Sequence, residues 1–224
     1  MVAKPSGVLT IPDRFDSNAP HLLGLLREQF GELLVVHRLD KETSGVICFA
    51  RSAETHRFIS LAFEERRVVK VYVAIVTGEV LETSGEISSP IASDRKKKGR
   101  MCVNPTEGKY SLTRFIVRER FNGFTLLELR PETGRTHQIR VHLQAYGHAL
   151  AVDPIYGGKD AIYLSTLKPG FRLKAGESEI PLIARVTLHA ERLCIPLPGK
   201  DTVIDIQAPL PKDFRAVLNQ LRKL

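Results

Sequence analysis

Cysteine is scarce: Cys48, Cys102 and Cys194 are the only three in 224 residues, and none stands in a C-x-x-C pair. That spacing argues against a disulfide framework or a thiolate zinc site, and it points to the cytoplasm, where thiols stay reduced. Long apolar runs are missing too. None approaches the roughly 18 to 20 residues needed to cross a bilayer, so no membrane partner is expected. Met1 to Thr10 lacks the charged start and long apolar stretch of a signal peptide. No internal repeat, low-complexity tract or Pro/Gly/Ser-rich linker divides the chain, so one domain over residues 1–224 is expected.

What the chain does have is positive charge. Lys and Arg number 33 against 25 acidic residues, a formal net charge of +8. Such an excess favours a polyanionic partner, because each neutralised phosphate releases counterions. Charge alone does not say which polyanion. With 43% hydrophobic residues there is enough apolar material for a full core.

Along the chain, Asn18-Ala19-Pro20 predicts the start of a short helix carrying Leu22, Leu25, Leu26 and Phe30, with Gly31 closing it. A loop from His37 to Gly45 leads to an apolar strand over Val46 to Ala50. Ser52 is placed to cap a helix running to about Arg66, packed through Phe58, Leu61 and Ala62. From Val68 to Val80 β-branched residues predict a strand with Lys70, Tyr72, Ala74 and Val76 on one face and Val71, Val73 and Ile75 on the other. Ser93 to Arg100 reads as an exposed loop. Strands around Leu112–Arg120 and Phe124–Arg130 are joined by Asn122-Gly123, a strong hairpin signal. Thr136 is expected to cap a helix carrying Ile139, His142, Leu143 and Tyr146 up to Gly147. Strands near Val186–Ile195 and Val203–Gln207 precede a last helix packed through Phe214, Val217, Leu218 and Leu221. The sum is an α+β fold: a mixed, mainly antiparallel sheet with flanking helices.

Two segments carry chemistry. His37-Arg38-Leu39-Asp40-Lys41-Glu42-Thr43-Ser44-Gly45 sets a carboxylate between cations in a loop before a buried strand. Opposite charge within a few ångströms favours the ionised form, and an ionised, held carboxylate can be nucleophile, general base or metal ligand. By residue type alone the segment reads first as a turn in which Asp40 and Thr43 cap backbone donors. The second segment, Arg130 to Leu143, sets Gly134 and Arg135 where a strand turns into a helix, whose free N–H groups attract anions. Arg140 lies one turn beyond Thr136 on the same side, where a guanidinium could grip a carboxylate or a phosphate. An ordinary surface helix with solvated arginines fits the pattern as well. His137 and His142 are five apart, which is not the spacing of a helical zinc pair. No phosphate-binding Gly loop, dinucleotide fingerprint or nucleophile elbow occurs, so neither metal nor organic cofactor is indicated.

Taken together the two segments resemble the RluA-type pseudouridine synthases. H-R-L-D-x-x-T-S-G is matched in full from His37 to Gly45, and T-G-R-T-H-Q-I-R-V-H-L in full from Thr133 to Leu143. Lys70-Val71-Tyr72-Val73-Ala74 is similar to that family's K-x-Y-x-A strand, Lys4-Pro5-Ser6-Gly7 to its K-P-x-G element, and Leu188-His189-Ala190 to its late L-H-A strand. The resemblance implies an isomerase for structured ribosomal or transfer RNA. Asp40 matches the catalytic aspartate, Tyr72 the tyrosine lying against the target base, and Arg140 the arginine that pairs with the carboxylate. Arg38 matches a residue that enters the RNA stack where the flipped base was. The physics is compatible: extruding a base costs a few kcal/mol, and an aromatic face returns roughly 1 to 3 kcal/mol by stacking. Arg135 and the run Lys96, Lys97, Lys98 and Arg100 are candidate phosphate contacts. Nothing demands more than a monomer.

The chain also departs from the family pattern. The strand leading into Lys4 is expected to be short or missing, and no separate RNA-binding domain is expected ahead of the catalytic part. Gly147-His148-Ala149-Leu150-Ala151-Val152-Asp153 replaces G-H-P-I-x-G-D, with Asp153 and Tyr156-Gly157 retained, and only a local adjustment is expected. Two rival readings are a metal-dependent nuclease or hydrolase using Asp40, which would need further clustered acids, and a catalytically silent RNA-binding protein of the same fold.

Overall fold

The computed structural model describes residues 1–13, 16, 18–168, 170–173, 176–197, 199 and 202–224. The chain forms two compact units: Met1–Tyr72 with His189–Pro209, and Val73–Leu188 with Leu210–Leu224. Strands outnumber helices and pair both antiparallel and parallel, so the class is α+β with a mixed sheet.

In the first unit, strand Ser44–Ile47 is the organiser. Val2–Lys4 pairs with it antiparallel, Lys4 opposite Gly45, and the strand leading into the Lys4 element is therefore present, three residues long. On its other side it runs parallel to the strand beginning at Leu188, with Ser44 opposite His189 and Gly45 opposite Ala190. Gly45 sits at φ 123°, and a Cβ there would lie 2.1 Å from the Ala190 carbonyl oxygen. Only glycine fits so close an approach. Val203–Gln207 completes this part of the sheet, antiparallel to Leu188–Pro196.

Three expectations shift here. The apolar stretch 46–50 is not one strand. It divides into Ser44–Ile47 and Phe49–Ala50, the latter paired with Leu34–Val35 in a separate two-stranded sheet. Helix Leu22–Phe30 starts just after Asn18-Ala19-Pro20 and is capped by His21, whose Nδ1 accepts the Gly24 N–H at 2.9 Å. It buries Leu22 and Leu23 while Leu25 and Phe30 face out. Helix Ala53–Glu64 is capped by Ser52 as its sequence indicates, with Ile59 and Ala62, not Leu61, on the buried side.

The second unit holds the rest of strand Val69–Thr77, whose residues Val73 to Val76 are all buried, as in a central strand. Leu112–Phe121 and Phe124–Pro131 form the hairpin expected at Asn122-Gly123, with Gly123 at φ 75° and a bulge between Leu126 and Leu127. Ser84–Ser88 pairs with the outer side of Leu112–Phe121. The last helix, Lys212–Leu221, buries Phe214, Val217, Leu218 and Leu221 against Val73, Ile75, Leu126 and Ile162, its i, i+3, i+4, i+7 stripe being the apolar face that packing needs.

The helix expected to be capped by Thr136 starts later, at Gln138. His137 takes the left-handed conformation at φ 54°, so helical geometry begins only after it. The sequence argument that set Arg140 one turn above Thr136 therefore does not apply. The turn is held instead by the buried Gln138 amide. Its oxygen accepts from the Thr133 hydroxyl at 2.7 Å and the Arg135 N–H at 3.0 Å. Its nitrogen donates to the Leu112 carbonyl and the Thr113 hydroxyl, both at 3.0 Å. Among the described residues no helix is long and apolar enough to cross a membrane.

Candidate active site

Asp40 sits in the loop between Val35 and Ser44, part-exposed, between the exposed Arg38 and Lys41 and the buried Leu39 and Thr43. Its carbonyl accepts the Thr43 N–H at 3.1 Å, closing a tight turn over Lys41 and Glu42. A backbone turn and the motif carboxylate therefore coincide at Asp40.

Tyr72 ends the first unit's share of strand Val69–Thr77. It packs against the buried cluster of Leu22, Leu39, Ile47 and Ala190, so the residue before Asp40 and the tyrosine belong to one apolar cluster. Burial raises the Tyr72 phenol well above its ordinary range, and the charge of Asp40 raises it further. Tyr72 consequently keeps its proton at physiological pH. The phenol offers an aromatic face and a hydroxyl donor, not a base.

His37, at the head of the same loop, is a structural residue. Its Nε2 accepts the Cys48 N–H at 3.1 Å and its ring stacks on Phe63 at 4.8 Å. Burial, then the charge of Lys70, push its pKa down to about 3. Between pH 6.5 and about 3 the unfolded chain binds a proton that the folded chain refuses. Stability is therefore complete above pH 6.5 and drains away as the pH falls through that window. His142, also lowered by burial, adds in the same direction. The slope from His37 is at most about 1.4 kcal/mol per pH unit. Urea unfolding at pH 7 and pH 5 should show His37→Gln losing about 2 kcal/mol less than the native protein across that interval, and equal losses would contradict the assignment.

Arg140 lies in the second unit, on helix Gln138–Ala145, and is 3% exposed. The structure places its Nε 2.7 Å from Asp153 Oδ2 and its Nη2 2.8 Å from Asp153 Oδ1, a two-pronged pair with a carboxylate that is fully buried. Asp153 also accepts the N–H groups of Ile155 and Tyr156. The guanidinium stands 5.0 Å from the centre of the Tyr156 ring. The Tyr156 hydroxyl accepts the Met101 N–H at 2.9 Å and meets His137 Nδ1 at 2.8 Å. Sequence reasoning named Asp153 and Tyr156 only as landmarks. A buried carboxylate thirteen residues from the arginine it holds has no spacing rule to reveal it.

The basic residues divide. Lys96, Lys97 and Lys98 are exposed on the loop between strands Ile91–Ser93 and Met101–Val103. The Lys96 and Lys97 N–H groups are capped by Asp94. Arg100 instead turns inward, 5.3 Å from the centre of the Tyr156 ring, with Nη2 3.3 Å from Gln144 Oε1. Arg135 is exposed, its Nε donating to the Tyr110 carbonyl at 3.3 Å. Among the described residues no three His, Cys, Asp or Glu side chains gather as around a metal ion.

Comparison with known proteins now bears on these residues. The chain is 35% identical over 188 residues to the ribosomal large subunit pseudouridine synthase D of Haemophilus ducreyi, covering 84% of this chain and 55% of that protein. It is 40% identical over 169 residues to the dual-specificity RNA pseudouridine synthase RluA of Vibrio vulnificus, covering 73% and 68%. Among solved structures, human RNA pseudouridylate synthase domain containing 4 superposes with a TM-score of 0.72 at 27% identity, covering 98% of this chain and 88% of that one. The chain thus spans little more than half the length of curated relatives such as the Haemophilus protein. A family sequence model described as RNA pseudouridylate synthase matches residues 1–145, both chemical segments included, and the chain belongs to that family.

Proposed function

We propose that the chain converts specific uridines to pseudouridine in structured ribosomal or transfer RNA. Asp40 is the nucleophile, Tyr72 lies against the extruded base, and Arg140 is the guanidinium that the family motif assigns to the reaction. The observation that carries the reading is that Asp40 sits in a held loop directly after Leu39, in whose apolar cluster the Tyr72 ring packs. In the reaction the bond between C1′ and N1 breaks and one between C1′ and C5 forms. N1 takes up a proton and C5 gives one up, so the product has the composition of the substrate and no oxidant or water is consumed.

Arg38 and Arg135 are exposed and suit the emptied base position and the RNA backbone. Lys96, Lys97 and Lys98 extend a phosphate-binding surface, with Arg100 fastening their loop from behind. Changing all three lysines to alanine should weaken RNA binding and reduce the salt dependence of log Kd by a slope of about 2. Filter binding from low to moderate salt measures this, and an unaltered slope would remove the loop from the footprint. In this reading residues 1–224 act as one catalytic domain, as a monomer, in the reducing cytoplasm that three unpaired thiols suit.

The test is direct. Purified protein is incubated with total RNA from cells in which its gene is deleted, and digested nucleosides are separated by chromatography. Pseudouridine should rise with time. RNA binding without any rise would favour the silent RNA-binding protein.

A further inference from the structure

Residues Lys4 to Thr10 grip the backbone on both sides of Asp40. Ahead of it, the Thr10 hydroxyl donates to the Leu39 carbonyl at 2.9 Å and accepts the Leu39 N–H at 3.2 Å. One side chain thus engages both polar groups of the residue before the carboxylate, as an antiparallel strand partner would. Behind it, the Lys41 carbonyl accepts from Lys4 Nζ and from the Gly7 N–H, both at 2.9 Å. The Glu42 carbonyl accepts from the Ser6 hydroxyl at 2.6 Å. Thr10 and Lys4 are 3% and 1% exposed, and both Thr10–Leu39 bonds are buried from water.

Thr10 is itself anchored. The first N–H groups of helix Leu22–Phe30 need acceptors beyond the helix; the Leu22 N–H donates to the Leu9 carbonyl at 2.8 Å and the Leu23 N–H to the Thr10 carbonyl at 3.1 Å. A chain of bonds therefore runs from a helix end, through one threonine, to the peptide on which Asp40 is mounted. A nucleophile borne by a loop needs such support, because a misplacement of about 1 Å can cost 100-fold in rate.

We propose that Thr10 is a positioning residue for the isomerisation, its hydroxyl fixing the backbone from which Asp40 is presented. The proposal rests on the reading of Asp40 as nucleophile. Thr10→Val keeps the shape and removes both hydrogen bonds, whereas Thr10→Ser keeps the oxygen. With total RNA from gene-deleted cells as substrate, Thr10→Val should lower kcat roughly 10- to 100-fold while leaving KM within about twofold. Thr10→Ser should restore most of the rate. An unchanged kcat, a loss lying chiefly in KM, or a serine variant as slow as the valine one would overturn the proposal. Should Thr10→Val fail to unfold cooperatively, Thr10→Ala decides the matter: a kcat lowered severalfold at unchanged KM supports the grip, and a normal kcat refutes it. Asp40→Asn is assayed in parallel. Activity there would bring down the nucleophile assignment itself, whereas an inactive Asp40→Asn beside a normal Thr10→Val would bring down only the grip.

Discussion

Replacing Asp40 by asparagine is expected to give a folded protein that binds RNA and forms no pseudouridine. The amide has the size and the hydrogen-bonding reach of the carboxylate but carries no negative charge, and an uncharged amide neither attacks C1′ nor steadies positive charge developing on the sugar. The rate should fall below about one-thousandth of the native value, equal to roughly 4 kcal/mol of lost transition-state stabilisation. RNA affinity should change little, because it rests mainly on cations meeting phosphates. The position is part-exposed, so the unfolding midpoint should move little as well. Single-turnover assays with filter binding and thermal unfolding on the same preparation separate the three quantities. A variant that has lost binding and rate together would place Asp40 in substrate contact rather than in chemistry.

The second large effect concerns stability. Asp153→Asn leaves a buried guanidinium without the carboxylate that holds two of its nitrogens, and breaking a buried pair from one side costs about 3 to 5 kcal/mol. That is a substantial share of the total stability of a domain. The same rule makes a sharper statement about the double variant. Arg140→Met with Asp153→Leu removes both charges and should recover much of the lost stability, yet on the proposed role of Arg140 its pseudouridine formation should remain negligible. Urea unfolding and nucleoside chromatography read the two outcomes. A double variant that regains activity along with stability would reduce Arg140 to a structural residue.

How much of this was legible in the sequence depends on the range of the interaction. Periodic patterns gave true elements: the stripe Phe214, Val217, Leu218 and Leu221 is buried along one helix, and Asn122-Gly123 closes a two-residue hairpin. Boundaries failed where a single backbone angle or a long-range partner decides. Thr136 looks like a helix cap, but His137 turns left-handed and the Gln138 side chain, bonded to Leu112 and Thr113 some 25 residues away, holds the turn. Residues 46–50 read as one apolar run, although the chain passes between two sheets within it.

The site divides in the same way. Asp40 and Tyr72 were named from motif resemblance, and they fall in one unit, with Tyr72 packed into the cluster that holds Leu39. Asp153, Tyr156 and Thr10 acquire their roles from partners 13, 16 and 29 residues distant, Arg140 for the first two and Leu39 for the third. No local pattern encodes such pairings. Arg100 could not be told from its lysine neighbours by charge, although it packs on the Tyr156 ring.

On the proposed reading, Asp40 of this chain makes pseudouridine in RNA. The most direct test of that reading maps pseudouridines in ribosomal and transfer RNA from cells lacking the gene, complemented with either the native chain or Asp40→Asn at equal protein level. At least one modified position should vanish on deletion, return with the native chain and stay absent with the asparagine variant. Identical maps in all strains, or restoration by Asp40→Asn, would contradict it.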